Sequence, residues 1–211
     1  MHRWSLGLSV VVCLCLHILT WGQIESVCKV IDGGGWGSGW VGAYVRDRDE
    51  ETYYGIIVTA RHCVVRDDGS HAIVSIEFPE SGWKCDRCSV ICYDPDDDVA
   101  CVWAILPKTI QPLAIAEPRW GGKVGNYGLA TGVEVDWGEI KLVDEHAIWS
   151  TAAVTPGDSG GPLCNSLGEV IGLMTHQVNC TADGCRSRAC AAKPIMTLLE
   201  VARELKDGGR N

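Results

Sequence analysis

Short runs of β-branched and aromatic residues, broken repeatedly by glycine, proline, asparagine or aspartate, constrain this chain more than any other feature. Residues 40–45 and 53–59 are such runs, joined by the charged segment 46–51, which reads as a solvated hairpin tip. Residues 71–78 alternate, with Ala72, Val74, Ile76 and Phe78 on one face, as a half-buried strand does. Residues 99–106 are continuously apolar and predict a buried strand. Segments 124–129, 133–135, 140–143, 147–154 and 170–175 continue the rhythm. Many short strands with turn punctuation point to an all-β barrel or sandwich. Only the tail changes period: Ile195, Leu198, Leu199, Ala202 and Leu205 recur at helical spacing, and Asp207-Gly208-Gly209 ends the pattern. An amphipathic helix docked on the β core is expected there. Basic residues do not dominate its polar face, which argues against a membrane-surface role.

The chain has 211 residues, of which 46% are hydrophobic, enough for one packed domain or two lobes sharing a core. Its net charge of −9 argues against nucleic acid as a partner, because phosphate binding needs a basic face. The N-terminus reads as a secretory signal over residues 1–22. His2 and Arg3 open it, residues 6–19 are nearly all apolar, and Thr20 and Gly22 suit cleavage before Gln23. Residues 23–211 then form the mature domain, and a secreted protein is expected. The apolar stretch is short for a membrane span, so membrane attachment is expected only if the segment stays uncleaved.

Twelve cysteines are present, of which Cys13 and Cys15 fall in the signal. The remainder, Cys28, Cys63, Cys85, Cys88, Cys92, Cys101, Cys164, Cys180, Cys185 and Cys190, are even in number, as disulfides of an oxidising compartment require. They crowd into two local groups, Cys85/Cys88/Cys92/Cys101 and Cys164/Cys180/Cys185/Cys190, with connectivity open. A four-thiolate zinc site is the sharper reading of the first group, but a second Cys-x-x-Cys is missing, so disulfides are favoured and no metal is expected. The glycine-rich stretch Gly33-Gly34-Gly35-Trp36-Gly37-Ser38-Gly39 has no Gly-Lys-Ser/Thr after it, which excludes a phosphate-binding loop.

Three segments carry chemistry. Gly157-Asp158-Ser159-Gly160-Gly161-Pro162 places a serine among glycines, which permit positive φ and leave room for a substrate. A serine hydroxyl needs a base to take its proton and backbone N–H groups to meet the oxyanion it creates. Thr59-Ala60-Arg61-His62-Cys63 follows an apolar strand, and an imidazole titrating near neutrality is such a base. Asp94-Pro95-Asp96-Asp97-Asp98-Val99-Ala100 offers the carboxylate that would orient it.

Together these segments resemble trypsin-like serine peptidases. Gly-Asp-Ser-Gly-Gly-Pro is similar to the family's nucleophile loop, and Thr-Ala-Arg-His-Cys to its histidine segment, with Arg61 in place of an alanine. The family's aspartate precedes an aliphatic residue and alanine, a pattern that only Asp98 fits. The order His62, Asp98, Ser159 is that of chymotrypsin-like enzymes rather than subtilisins or α/β-hydrolases. The resemblance implies two six-stranded antiparallel β-barrels, a chymotrypsin-like double barrel, with a C-terminal α-helix. It implies peptide-bond hydrolysis through an acyl-enzyme, with His62 as base and acid, Asp98 as orienter, Ser159 as nucleophile, and the N–H groups of Gly157 and Ser159 as oxyanion hole. No cofactor is implied. Protein or peptide substrates are, and such a site also admits a protein inhibitor.

Gly37-Ser38-Gly39-Trp40, Val124-Gly125-Asn126, Gly168-Glu169-Val170-Ile171-Gly172 and Ala191-Ala192-Lys193-Pro194-Ile195 resemble the compact HtrA-like branch. Lys193 departs from that branch, and the cysteine content looks like secreted trypsins. The branch's PDZ domain finds no room after residue 211, so functions tied to it are not expected. By similarity the substrate pocket includes Ala153, Thr155, Thr175 and His176. Ala153 stands where trypsins carry an aspartate, which disfavours basic side chains, whereas His176 could hydrogen-bond an acidic or amide one. A small or medium apolar residue before the cleaved bond is expected. Lys29-Val30-Ile31 offers a superficial activation cut, but only a handful of residues separate Val30 from the Gly37 entry, so no trypsin-style zymogen switch acting on Asp158 is expected. Asn179-Cys180-Thr181 is an acceptor sequon in a eukaryotic host. Two rivals remain: a catalytically silent binding module on the same fold, and a processing peptidase released from a precursor.

Overall fold

The computed structural model describes residues 24–71, 73–130, 136–177 and 187–207. The chain first lays down β1 (Val27–Ile31), β2 (Trp36–Asp47), β3 (Thr52–Ala60), β4 (Ile73–Glu77), β5 (Lys84–Asp94) and β6 (Val99–Pro107). These close into an antiparallel barrel in the order β1-β2-β3-β6-β5-β4. It then repeats the plan with β7 (Lys123–Asn126), β8 (Asp136–Val143), β9 (Ala147–Ser150), β10 (Pro162–Asn165), β11 (Val170–Gln177) and β12 (Ser187–Ala191). The second barrel closes as β10-β11-β12-β9-β8-β7, the same circuit as the first. This is the chymotrypsin-like double barrel that the sequence resemblance implies. Closure leaves no unpaired sheet edge in either barrel.

Each barrel has its own apolar filling. Val30, Ile57, Val74, Ile76, Val102 and Leu106 meet inside the first. Val124, Ile140, Ile148, Leu163, Ile171 and Met174 meet inside the second. A further cluster, with Trp40, Ile56, Val58, Cys101, Leu173 and Leu199, joins the barrels to the C-terminal helix α1 (Ala192–Asp207). Fully burying a side chain of this size stabilises the fold by about 1.5–3 kcal/mol. The helix buries Ile195, Leu198, Leu199 and Ala202, as its spacing predicts, but Leu205 is exposed. Close approach of the helix needs Gly42, where a Cβ would lie 2.5 Å from Val58 and 3.1 Å from Leu199.

The strand pattern differs from the sequence reading in particular places. Strands β1, β5, β10 and β12 lie outside the predicted runs. In β5, two half-buried cysteines, the buried Cys88 and charged residues replace clean alternation, and β10 is only four residues long. The run 147–154 is strand only to Ser150, because the chain leaves the sheet there to build the serine loop. The signal segment 1–22, the run 133–135, the sequon at Asn179, and Cys180 and Cys185 lie outside the described residues. Among the described residues, no helix is long and apolar enough to cross a membrane.

Candidate active site

The first barrel contributes a histidine and an aspartate from two strand ends. Strand β3 stops at Ala60 and the chain turns through one 3-10 turn, Arg61–Cys63. Across the sheet, β5 and β6 are joined by the turn 95–98, whose bend is set by Asp94 Oδ1 accepting from the N–H groups of Asp96 and Asp97. Asp98 ends that turn in the left-handed region, at φ 55°, a conformation that aspartate tolerates better than most residues. Its carboxylate then receives two bonds from the histidine turn. His62 N–H donates to Oδ1 at 3.0 Å, and His62 Nδ1 lies 2.7 Å from Oδ2. The Asp98 carbonyl also accepts from Arg61 N–H at 3.0 Å. Arg61, the residue that replaces an alanine, lays its guanidinium over Tyr93, 5.3 Å from the ring centre, and so lines the back of this turn.

An ionised carboxylate only accepts, so Nδ1 carries the proton and Nε2 keeps its lone pair. The bond to Asp98, followed by one with the Cys63 thiol, raises the imidazole pKa above its ordinary value. An imidazole so held is a stronger base toward an incoming hydroxyl.

The second barrel contributes the serine from the loop before β10. Ser159 O accepts from Ser38 N–H of β2 at 2.8 Å, and Cys63 Sγ approaches the same carbonyl at 3.8 Å, so the serine loop lies directly against the histidine turn. Gly160 N–H donates to Met174 O at 2.7 Å. Gly160 has φ 86°, and a Cβ there would collide with Ser38 O and Thr59 Oγ1, so the crossing point of the two barrels admits only glycine. Ser159 Oγ lies 3.4 Å from Thr175 O. Gly157, at φ 102°, turns its carbonyl to Ser38 Oγ at 2.7 Å. Among the described residues, no acceptor meets the N–H of Gly157 or of Ser159.

Three residues support this loop, of which Ser38 and Asn126 carried no assigned role in the sequence reading. Ser38 bonds to Gly157 O and Ser159 O and receives Leu129 N–H at 2.9 Å on its hydroxyl, while Thr59 Oγ1 holds its carbonyl at 2.7 Å. Asn126 donates to Ala153 O at 3.0 Å and to Asp158 Oδ2 at 3.1 Å. Asp158 itself is fully buried and also accepts from Ala130 N–H at 3.0 Å and from Thr155 N–H and Oγ1 at 2.9 and 3.0 Å. The only signal for Ser38 and Asn126 was their place in the Gly-Ser-Gly-Trp and Val-Gly-Asn segments.

The four pocket residues scatter in role. Ala153 is half-buried. Thr155 commits its hydroxyl to Asp158. Thr175 is buried, with Oγ1 on Arg188 O at 3.1 Å. His176 is exposed, its ring centre 5.8 Å from that of His62. The segment 178–186, which follows His176, lies outside the described residues.

A carboxylate–imidazole pair on one barrel, facing a serine loop on the other, defines the class of chymotrypsin-type serine peptidases. Residues 37–173 match the trypsin-like peptidase domain family, and the chain belongs to it. Among curated relatives, the serine protease HtrA-like of Staphylococcus haemolyticus is 29% identical over 76% of this chain and 27% of its own length. The periplasmic serine endoprotease DegP of Salmonella typhimurium is 29% identical over 57% of this chain and 27% of its own. The chain thus spans about a quarter of the length of these relatives. A crystal structure of a serine endoprotease from Yersinia pestis superposes with a TM-score of 0.71 at 22% identity, covering 92% of this chain and 67% of that one, a likeness of fold. The HtrA-like resemblance read from the sequence stands on these relatives.

Proposed function

We propose that the chain is a secreted serine endopeptidase that cuts peptide bonds through His62, Asp98 and Ser159. The observation that carries this reading is the 2.7 Å contact between His62 Nδ1 and Asp98 Oδ2, beside a serine loop whose Gly157 and Ser159 N–H groups are free of acceptors among the described residues. In the first step Ser159 Oγ attacks the scissile carbonyl while His62 Nε2 takes its proton. Asp98 keeps the ring in the right tautomer and stabilises the imidazolium. The two N–H groups receive the oxyanion, and His62 returns the proton to the leaving amine. Water then repeats the sequence on the acyl-enzyme.

The absence of a carboxylate at Ala153 favours a small or medium apolar residue before the cleaved bond. Asp158, already satisfied by neutral donors, supports a peptidase that needs no new N-terminus to become active. Residues 1–22 support secretion, and one relative is named as periplasmic. An organophosphonate probe tests the chemistry. Labelling of the wild type that disappears in Ser159→Ala is expected, whereas a folded wild type that takes no label would identify a silent module. N-terminal sequencing of the secreted protein is expected to begin at Gln23.

A further inference from the structure

The β5–β6 hairpin that ends in Asp98 carries two cysteines directly opposite each other. The antiparallel register pairs Cys92 with Cys101, Tyr93 with Ala100 and Asp94 with Val99, after which the turn delivers Asp98. Directly opposed residues of antiparallel strands share a face, with Cβ atoms about 4.5–5.5 Å apart, against about 3.5–4.5 Å in a disulfide. A small inward pull closes that gap. The two thiols are near enough for Cys101 to lower the Cys92 pKa, and Cys92 Sγ faces Leu198 O of the helix at 3.8 Å. The other members of the group sit elsewhere on β5. Cys85 and Cys88 pair with Ile76 and Val74 of β4, and Cys88 Sγ lies 3.3 Å from Cys85 O. Four residues of strand, roughly 13 Å, separate Cys88 from Cys92. Among the described residues, no three His, Cys, Asp or Glu side chains converge as a metal site.

We propose that Cys92 and Cys101 are a disulfide pair that staples the base of the hairpin presenting Asp98. All eight described cysteines are thiols in the structure, and the bond is the oxidised form of this pair. Cys92 is the more accessible, and the thiol of Cys101 lowers its pKa, whereas Cys101 is buried and held as a thiol by that same contact and by desolvation. Cys92 is therefore the attacking thiolate. The oxidant is a small-molecule disulfide such as oxidised glutathione, or a protein dithiol oxidase of the secretory route. Cys92 Sγ attacks one oxidant sulfur and expels the other as a thiolate. Cys101 Sγ then attacks the mixed disulfide and expels the second. The two cysteine protons end on the two expelled thiols, and the two electrons end on the oxidant.

Asp98 lies three residues before Cys101, in the left-handed position that ends the turn joining the two strands. The bond holds the ends of those strands. Its effect on catalysis rests on the triad reading above, whereas the bond itself does not.

The test uses the mature protein refolded in a glutathione redox buffer, with free thiols alkylated before digestion without reductant. Cleavage at Asp94, Asp96, Asp97 and Asp98 separates the two halves of the hairpin, so a peptide holding Cys92 and one holding Cys101 remain joined only by the bond. Fragment-ion sequencing is expected to place the link at 92–101. Alkylated Cys92 and Cys101, or a link from either to Cys85 or Cys88, overturns the proposal. A Cys92→Ala/Cys101→Ala variant is expected to melt about 5–10 °C lower, as for loss of a ten-residue loop closure. Its kcat is expected to fall while KM holds, and a Cys85→Ser/Cys88→Ser variant is expected to keep its kcat. A linked wild type with unchanged kcat in the Ala variant keeps the bond and overturns its role at Asp98. A linked wild type that takes no organophosphonate sinks the peptidase reading instead.

Discussion

The two barrels follow one circuit but are built to different specifications. The first uses strands of up to 12 residues, and the second none longer than eight. In the first, the histidine and aspartate sit at the ends of long paired strands, where β3 and β6 stay in register from Thr52–Pro107 to Ala60–Val99. In the second, the serine sits on a loop outside the sheet, shaped by glycines at positive φ and by the buried carboxylate of Asp158. Under the proposed triad reading, the difference is a division of labour. A proton-handling pair must hold one hydrogen bond to tenths of an ångström, which rigid strand ends provide. An oxyanion site must aim two amides at a point in space, which only irregular backbone can do.

The comparison is most exposed at its two centres. Asp98→Asn is expected to lower kcat by about 10^4-fold. Because the Asp98 bond is the first cause that raises the His62 pKa, the acidic limb of the pH–rate profile should also move to lower pH. The sign follows from the base being active only when neutral, so activity grows as pH climbs through that pKa. Gly157→Ala, at φ 102° and against the Trp36 ring, is expected to cost about 10²–10³-fold in kcat with the limb unmoved. A limb that moves in the glycine variant, or stays in the aspartate variant, would dissolve the division.

Stability offers the next contrast. Leu106→Ala and Leu163→Ala truncate equally buried side chains in the two separate cores, and each is expected to cost about 2–5 kcal/mol by chemical denaturation. One shared unfolding transition is expected, since the third cluster joins the barrels. Two resolved transitions would break that view. Ser38→Ala removes the hydroxyl that links Gly157 O to Leu129 N–H, and kcat is expected to fall about tenfold, equivalent to one hydrogen bond of ~1.4 kcal/mol, with the pH limb fixed.

The smallest effect is expected at His146, on the β8–β9 turn. Its Nδ1 lies 3.0 Å from Oδ1 of the buried Asp97, tying the second barrel to the turn that carries Asp98. The Asp97 contact raises the His146 pKa. That stabilisation is complete below the ordinary imidazole value of 6.5 and fades as pH rises through the folded-state value. His146→Gln should therefore lower the melting temperature slightly at pH 5.5 and hardly at all at pH 9. An equal loss at both would rule out the charged pair.

The legible parts of the molecule are those in which composition and geometry coincide. His62, Asp98 and Ser159 stood out because each belongs to a contiguous segment, and the helix because Ile195, Leu198 and Ala202 keep one period. Ser38 and Asn126 did not, since their partners lie 119 and 32 residues away and no local pattern records such pairings. Nor did the positive φ of Asp98 show, because an aspartate before a buried strand reads the same in either conformation. Strand β5 stayed hidden since its cysteines dominate the pattern and neither face is wholly apolar.

Asp158 carries a temporal consequence. Its carboxylate already collects bonds from Asn126, Ala130 and Thr155 within its own lobe, so a freshly cut amino terminus has no vacancy to fill. Under the peptidase reading proposed above, the serine loop is set as soon as the chain folds. On that reading, restraint comes from the compartment it occupies and from what it meets there.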